Sequence, residues 1–111
     1  MQYLLLIYDD EKRWAKGYDH GELADYRSFS KEFAPAIKGG NALQPTGTAT
    51  TVRVRNGKAL TTDGPFAETK EQLAGFYLVE AQNQKEAEGI AAKIPGARYG
   101  SIEVRPIMKF S

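Results

Sequence analysis

The sequence predicts an α+β domain: an antiparallel sheet in the split βαβ, or ferredoxin-like, order, with two helices on one face and a second copy of the chain on the other. Three observations predict it. Residues 2–8 and 75–81 are apolar on both alternating faces, the pattern of strands buried on both sides. Residues 22–38 and 84–94 repeat apolar side chains at helical spacing. Asn56-Gly57, set between alternating residues, is a strong signal for a two-residue hairpin turn.

The opening strand places Tyr3, Leu5 and Ile7 on one face and Leu4, Leu6 and Tyr8 on the other, and Asp9-Asp10-Glu11 ends it. Residues 11–21, with Gly17 and Gly21, read as a loop with room for one short turn. The first helix presents Leu23, Tyr26, Phe29, Phe33 and Ile37 as a single stripe. Pro35 predicts a kink or restart within it, and Gly39-Gly40 its end. Residues 41–49 are expected to be extended.

The Asn56-Gly57 turn dictates a register across residues 50–62: Arg55 opposes Lys58, Val54 opposes Ala59, Arg53 opposes Leu60 and Val52 opposes Thr61. After an Asp-Gly-Pro-Phe turn, the strand at 75–81 points Phe76 and Leu78 one way and Tyr77, Val79 and Ala81 the other. Asn83 caps the second helix, with Glu86 three residues on as in a capping box. Residues 101–107 alternate Ile102, Val104 and Pro106 with Ser101, Glu103 and Arg105, a half-polar edge strand. The two doubly apolar strands are expected to be central neighbours, flanked by the hairpin and the last strand. Two helices cover one face only. The other, with Tyr77, Val79, Leu4, Leu6 and Tyr8 assigned to it, calls for a homodimer packed sheet against sheet.

Composition narrows function by exclusion. At 111 residues the chain is one domain, 1–111. Fifteen basic and fourteen acidic residues nearly cancel, so no nucleic-acid footprint is present. No apolar run reaches membrane-span length, so no membrane partner is expected. The absence of cysteine excludes a disulfide framework and fits a reducing, cytoplasmic setting. No dinucleotide, phosphate-loop or nucleophile-elbow motif occurs, so no cofactor is expected. Asp9-Asp10-Glu11 lacks calcium-loop spacing and His20 stands alone, so no metal site is expected.

The candidate chemistry gathers around residues 62–71. Asp63, beside a rigid turn, and Glu68 are the catalytic candidates. Each has a structural alternative: Asp63 as an Asx-type turn former, Glu68 as a solvated turn residue, with Thr69 and Gln72 capping one helical turn. Tyr26, Phe66, Lys70 and Tyr77 are candidate ligand contacts. Arg53, Glu103 and Arg105 are a further set, lining a polar cavity at the dimer seam or forming ion pairs that fix register. Trp14 and Tyr18 either cover a pocket or pack the loop down.

TDGPFAETKE (Thr62–Glu71), GFYLV (Gly75–Val79) and GSIEVRPI (Gly100–Ile107) resemble the DGPF-motif subgroup of the YCII-related family. The resemblance includes the Tyr-Asp-Asp end of the first strand and the ATTVRVRNG hairpin (Ala49–Gly57), and so covers nearly the whole chain. It implies a dimeric α/β-barrel fold without naming a reaction. Some similar proteins are encoded near extracytoplasmic-function sigma factors, which implies a regulatory setting. The wider family is similar to small enzymes that use a His–Asp pair. Those places fall near Tyr26 and on Ile94, before Pro95; neither residue matches, so the dyad is not carried over. Two functions follow as expectations. One is a small dimeric protein that binds a small organic molecule, with lyase- or isomerase-like acid–base chemistry. The other is a non-catalytic interaction module in which the Asp-Gly-Pro-Phe turn is a structural clasp.

Overall fold

A computed structural model describes residues 1–110. Six strands and two helices follow in the order β1 (Gln2–Asp9), α1 (His20–Glu32), β2 (Ile37–Ala42), β3 (Thr50–Arg55), β4 (Lys58–Asp63), β5 (Gln72–Glu80), α2 (Gln84–Ala91) and β6 (Ser101–Pro106). The main sheet is antiparallel, in the order β2-β5-β1-β6. With β3 and β4 set aside, that is the ferredoxin-like arrangement, and β3-β4 is a hairpin inserted between its second and third strands.

The doubly apolar strands, β1 and β5, are the central neighbours, and β6 flanks β1 as its half-polar pattern requires. Tyr3, Leu5 and Ile7 point under the helices, where they meet Phe29, Val79, Ile90 and Ile94. Leu5, Val79 and Ile94 are essentially sealed from water, and burying each contributes about 1.5–3 kcal/mol. Asn83 caps α2 by accepting from the Glu86 N–H at 2.9 Å, and Glu86 returns the bond by accepting from Gln82 N–H at 3.2 Å. The hairpin register is the one Asn56-Gly57 dictates, with both turn residues at positive φ (51° and 75°).

Four expectations are corrected. The helix expected over 22–38 runs from His20 to Glu32, and the chain re-emerges as strand β2. Pro35 cannot continue the ladder, and Gly40 suits a strand pressed closely on β5. A side chain there would begin 2.6 Å from the Phe76 carbonyl oxygen. Second, the hairpin does not flank the main sheet; β2 takes that place, and β3-β4 forms a separate two-stranded sheet. Third, Tyr77 and Val79 belong to the helix-covered face, opposite Leu5 and Tyr3. The open face carries Leu4, Leu6 and Tyr8 from β1 and Phe76 and Leu78 from β5, all half-buried. Thr69 and Gln72 cap no helix; Gln72 opens β5.

Candidate functional site

The chemistry of this molecule concentrates where β1 ends. Asp9 is in phase with Tyr3, Leu5 and Ile7, so the strand carries its carboxylate to the buried face; it is 4 % exposed. The chain then turns through one 3-10 turn, Glu11–Arg13, started by the Asp10 side chain, which accepts from the Lys12 N–H. That turn returns Arg13 toward Asp9. Asp19 caps α1 by accepting from the Glu22 N–H, which places Glu22 in the first turn, also 4 % exposed.

One guanidinium therefore holds two buried carboxylates. Arg13 donates from Nη1 and Nη2 to Glu22 at 3.0 and 2.9 Å, and from Nε to Asp9 at 3.0 Å; Nη2 also reaches Asp9. Four of its five N–H donors are spent in this way. Its pKa rises, chiefly through the Glu22 bond and next through Asp9. The flat face of the guanidinium lies on the Tyr99 ring, 4.1 Å from its centroid. With all three groups ionised, the cluster keeps one surplus negative charge.

A cavity of about 280 Å³ opens beside this cluster, between α1 and the ends of β1, β2 and β5. Its size is near the lower end for small-molecule sites, about 300 Å³. Asp9 and Arg13 form the charged wall, Tyr18, Tyr26 and Tyr77 supply phenols, and Ile7, Leu23 and Ala74 are among its apolar lining. Burial, more than any neighbour, raises the pKa of the Tyr26 hydroxyl, and the Gly96 backbone against it partly offsets that. A side chain at Gly96 would start 2.7 Å from that oxygen, so glycine there makes room for the phenol. Tyr18 is raised as well, first by burial and then by the nearby Glu22 and Asp9 carboxylates. Both phenols therefore stay protonated and can donate. Tyr18 stacks on Trp14, the only tryptophan, with centroids 5.5 Å apart. The buried Trp14 indole N–H lacks an acceptor among the described residues. Tyr77 packs its ring on Phe29 at 5.1 Å.

The residues singled out in sequence are dispersed. Tyr26 and Tyr77 line the cavity. Asp63 ends β4 at the root of the hairpin, and Glu68 is exposed in the following loop. Phe66 is 80 % exposed and anchors nothing within its own chain. Arg53 is exposed on the hairpin, and Lys70 borders a shallow depression with Asp10, Lys12 and Glu71. Glu103 and Arg105 pair with each other and lie on the open face of the sheet, opposite Leu6 and Leu4. The Asp-Gly-Pro-Phe turn closes the hairpin root: the Gly64 N–H donates to the Ala49 carbonyl at 2.7 Å, and Thr51 Oγ1 donates to the Gly64 carbonyl at 2.9 Å.

Sequence reasoning missed Asp9, Arg13 and Glu22 as a unit. The strand pattern held one signal: an aspartate in phase with three core residues is a buried carboxylate that needs a partner. Among the described residues, no group of three or more potential ligands is placed to hold a metal ion, and no helix is long and apolar enough to cross a membrane.

Comparison with known proteins places this geometry in context. An uncharacterised protein of Rhizobium meliloti (strain 1021) is 40% identical over 114 residues, covering 96% of this chain and 92% of the relative. Among solved structures, 5-chloro-2-hydroxyhydroquinone dehydrochlorinase from Burkholderia phenoliruptrix AC1100, in complex with 2,5-dihydroxybenzoquinone, superimposes with a TM-score of 0.55. It covers 97% of this chain and 94% of its own at 14% sequence identity, which is a likeness of fold. The model of the YCII-related domain matches residues 1–111, and the chain belongs to that family.

Proposed function

We propose that this protein binds a small, flat, uncharged organic molecule in the cavity beneath α1 and performs acid–base chemistry on it. One observation carries the reading: a fixed carboxylate, Asp9, and two protonated phenols, Tyr18 and Tyr26, line one largely apolar cavity. Asp9 accepts a proton or hydrogen bond from the ligand, and Tyr26 donates to an oxygen on it. The surplus negative charge argues against a carboxylate or phosphate ligand, because Arg13 has almost no donor left to clamp one. A hydroxylated ring or quinone fits these donors and acceptors. The fold neighbour's 2,5-dihydroxybenzoquinone shares the flat, oxygen-bearing ring of that class but not its neutrality, because its hydroxyls are acidic. The histidine of a family-type His–Asp pair would fall near Tyr26; no histidine stands there, and the donor in this reading is the Tyr26 phenol.

The Asp63–Phe66 turn takes the structural part in this reading, supported by the Gly64 and Thr51 bonds that close the hairpin root. Self-association through the open sheet face is also part of the proposal. It is supported by the apolar strip of Leu4, Leu6, Tyr8, Phe76 and Leu78, beside the Glu103–Arg105 pair.

Trp14, stacked on a cavity residue, is the natural reporter. Titration with neutral dihydroxybenzenes is expected to quench its fluorescence saturably, while benzoate does not. Tyr26→Phe should weaken binding about tenfold, the loss of one hydrogen bond of roughly 1.4 kcal/mol. Preferential binding of carboxylates, or unchanged affinity in Tyr26→Phe, would overturn the reading.

A further inference from the structure

The β3-β4 hairpin stands away from the body. Every residue of β4 is exposed, and so is every residue of β3 except Thr51. Its register puts Val52, Val54, Ala59 and Thr61 on one face and Arg53, Arg55, Lys58 and Leu60 on the other. Val52 and Val54 are 60 % and 62 % exposed, and Phe66 lies bare at its root. A two-stranded hairpin alone in water is at best marginally stable, so this one needs a surface to lie on.

The surface area shows how much is left uncovered. The chain exposes 7897 Å², whereas a folded monomer of 12.3 kDa exposes about 6,100 Å². The excess, roughly 1,800 Å², exceeds the ~800 Å² each partner buries in a standard interface. The radius of gyration, 15.8 Å, likewise exceeds the ~13 Å of a compact domain this long. The exposed arm and the open sheet contribute to this surplus, as do Met108 and Phe110 near the chain end.

We propose that the β3-β4 hairpin is an exchange arm: it lies across a second copy of this chain, with the Val52–Val54 face turned toward that copy. The inference rests on the self-association proposed above and adds the arm as an element of the contact. A closed pair of copies satisfies both surfaces at once, because two-fold symmetry lets each chain give its arm and receive the other's. The basic opposite face of the arm, with Arg53, Arg55 and Lys58, then faces water and discourages further strand addition at this edge.

The test uses the full chain. A photo-crosslinking benzoylphenylalanine at position 54 is expected to yield a covalent product of twice the chain mass, joined to a second copy. Val52→Asp with Val54→Asp changes exposed side chains only, and is expected to keep the circular dichroism spectrum while weakening self-association at least tenfold by sedimentation. Leu78→Lys, on the open sheet face, serves as the comparison. If Leu78→Lys abolishes association while the arm variant associates normally and position 54 crosslinks only within its own chain, the arm proposal fails and the sheet-face contact stands. If the unaltered chain stays monomeric at high micromolar concentration, both fail.

Discussion

The end of the sheet that holds Asp9 and the hairpin that holds Val54 are built by opposite rules. At Asp9, three charged side chains from a strand end, a turn and a helix are interlocked, and two of them are sealed from water. In the hairpin, each strand is stabilised by the other, and the side chains face solvent. The first region is defined by tertiary contacts and has no meaning in an isolated segment. The second is defined by a local turn and depends little on the rest of its own chain. A ligand site needs the first kind of rigidity, since binding groups must be held before the ligand arrives. A surface that meets another molecule can take the second.

The contrast is sharpest at Arg13. Replacing it with methionine strands two buried carboxylates, and should cost about 3–5 kcal/mol by urea unfolding. A loss under about 1 kcal/mol would mean that the cluster behaves as a solvated surface pair and that the contrast is false. Next in size is a pair of truncations. Leu5→Ala, in the sealed core, should cost about 2–5 kcal/mol. Val54→Ala should cost less than about 0.5 kcal/mol in dilute, monomeric protein, and more as concentration rises if a second copy covers it. Equal costs at both positions would break the distinction between core and arm.

The smallest effect is in alkaline stability. Tyr18 and Tyr26 have raised pKa values in the folded chain, so above about pH 10, the ordinary tyrosine value, the unfolded chain loses protons that the folded one keeps. Their contribution is present in full below that pH and is lost as pH rises through the folded values. Tyr26→Phe should flatten the fall in melting temperature above pH 10 and leave it unchanged between pH 6 and 9. An unchanged alkaline slope would show that the Tyr26 hydroxyl is not held in a protonated pocket.

What the sequence made legible follows the same division. The hairpin register could be read from Asn56-Gly57 because a two-residue turn of that composition admits one pairing. The central places of β1 and β5 could be read because both faces are apolar. Strand β2 could not, because Ile37-Lys38-Gly39-Gly40-Asn41-Ala42 lacks alternation; its strand identity comes from the closeness of Gly40 to the β5 backbone. The position of the hairpin outside the main sheet was equally hidden, since a local turn fixes register and not location. At the site, Tyr26 and Tyr77 were visible as apolar-stripe and central-strand residues with a polar tip. Arg13 was not, because its partners lie on two other elements and only the folded chain brings them within 3 Å.

Glu11 sits between Asp9 and Arg13 and does a different job. Its carboxylate accepts from the backbone N–H and the hydroxyl of Thr46, while its own N–H donates to the Gln72 side chain at 2.9 Å. Just beyond, the Leu43 N–H donates to the Ala74 carbonyl at 2.8 Å. The two ends of the intervening segment are thus buttoned together at the body's edge before the hairpin begins. Loop length costs little once its ends are held, about 0.6 kcal/mol per doubling. The stretch between Thr46 and Gln72 is therefore held like an insert in a socket, and a change in its length is expected to leave the shape of the cavity beside it intact.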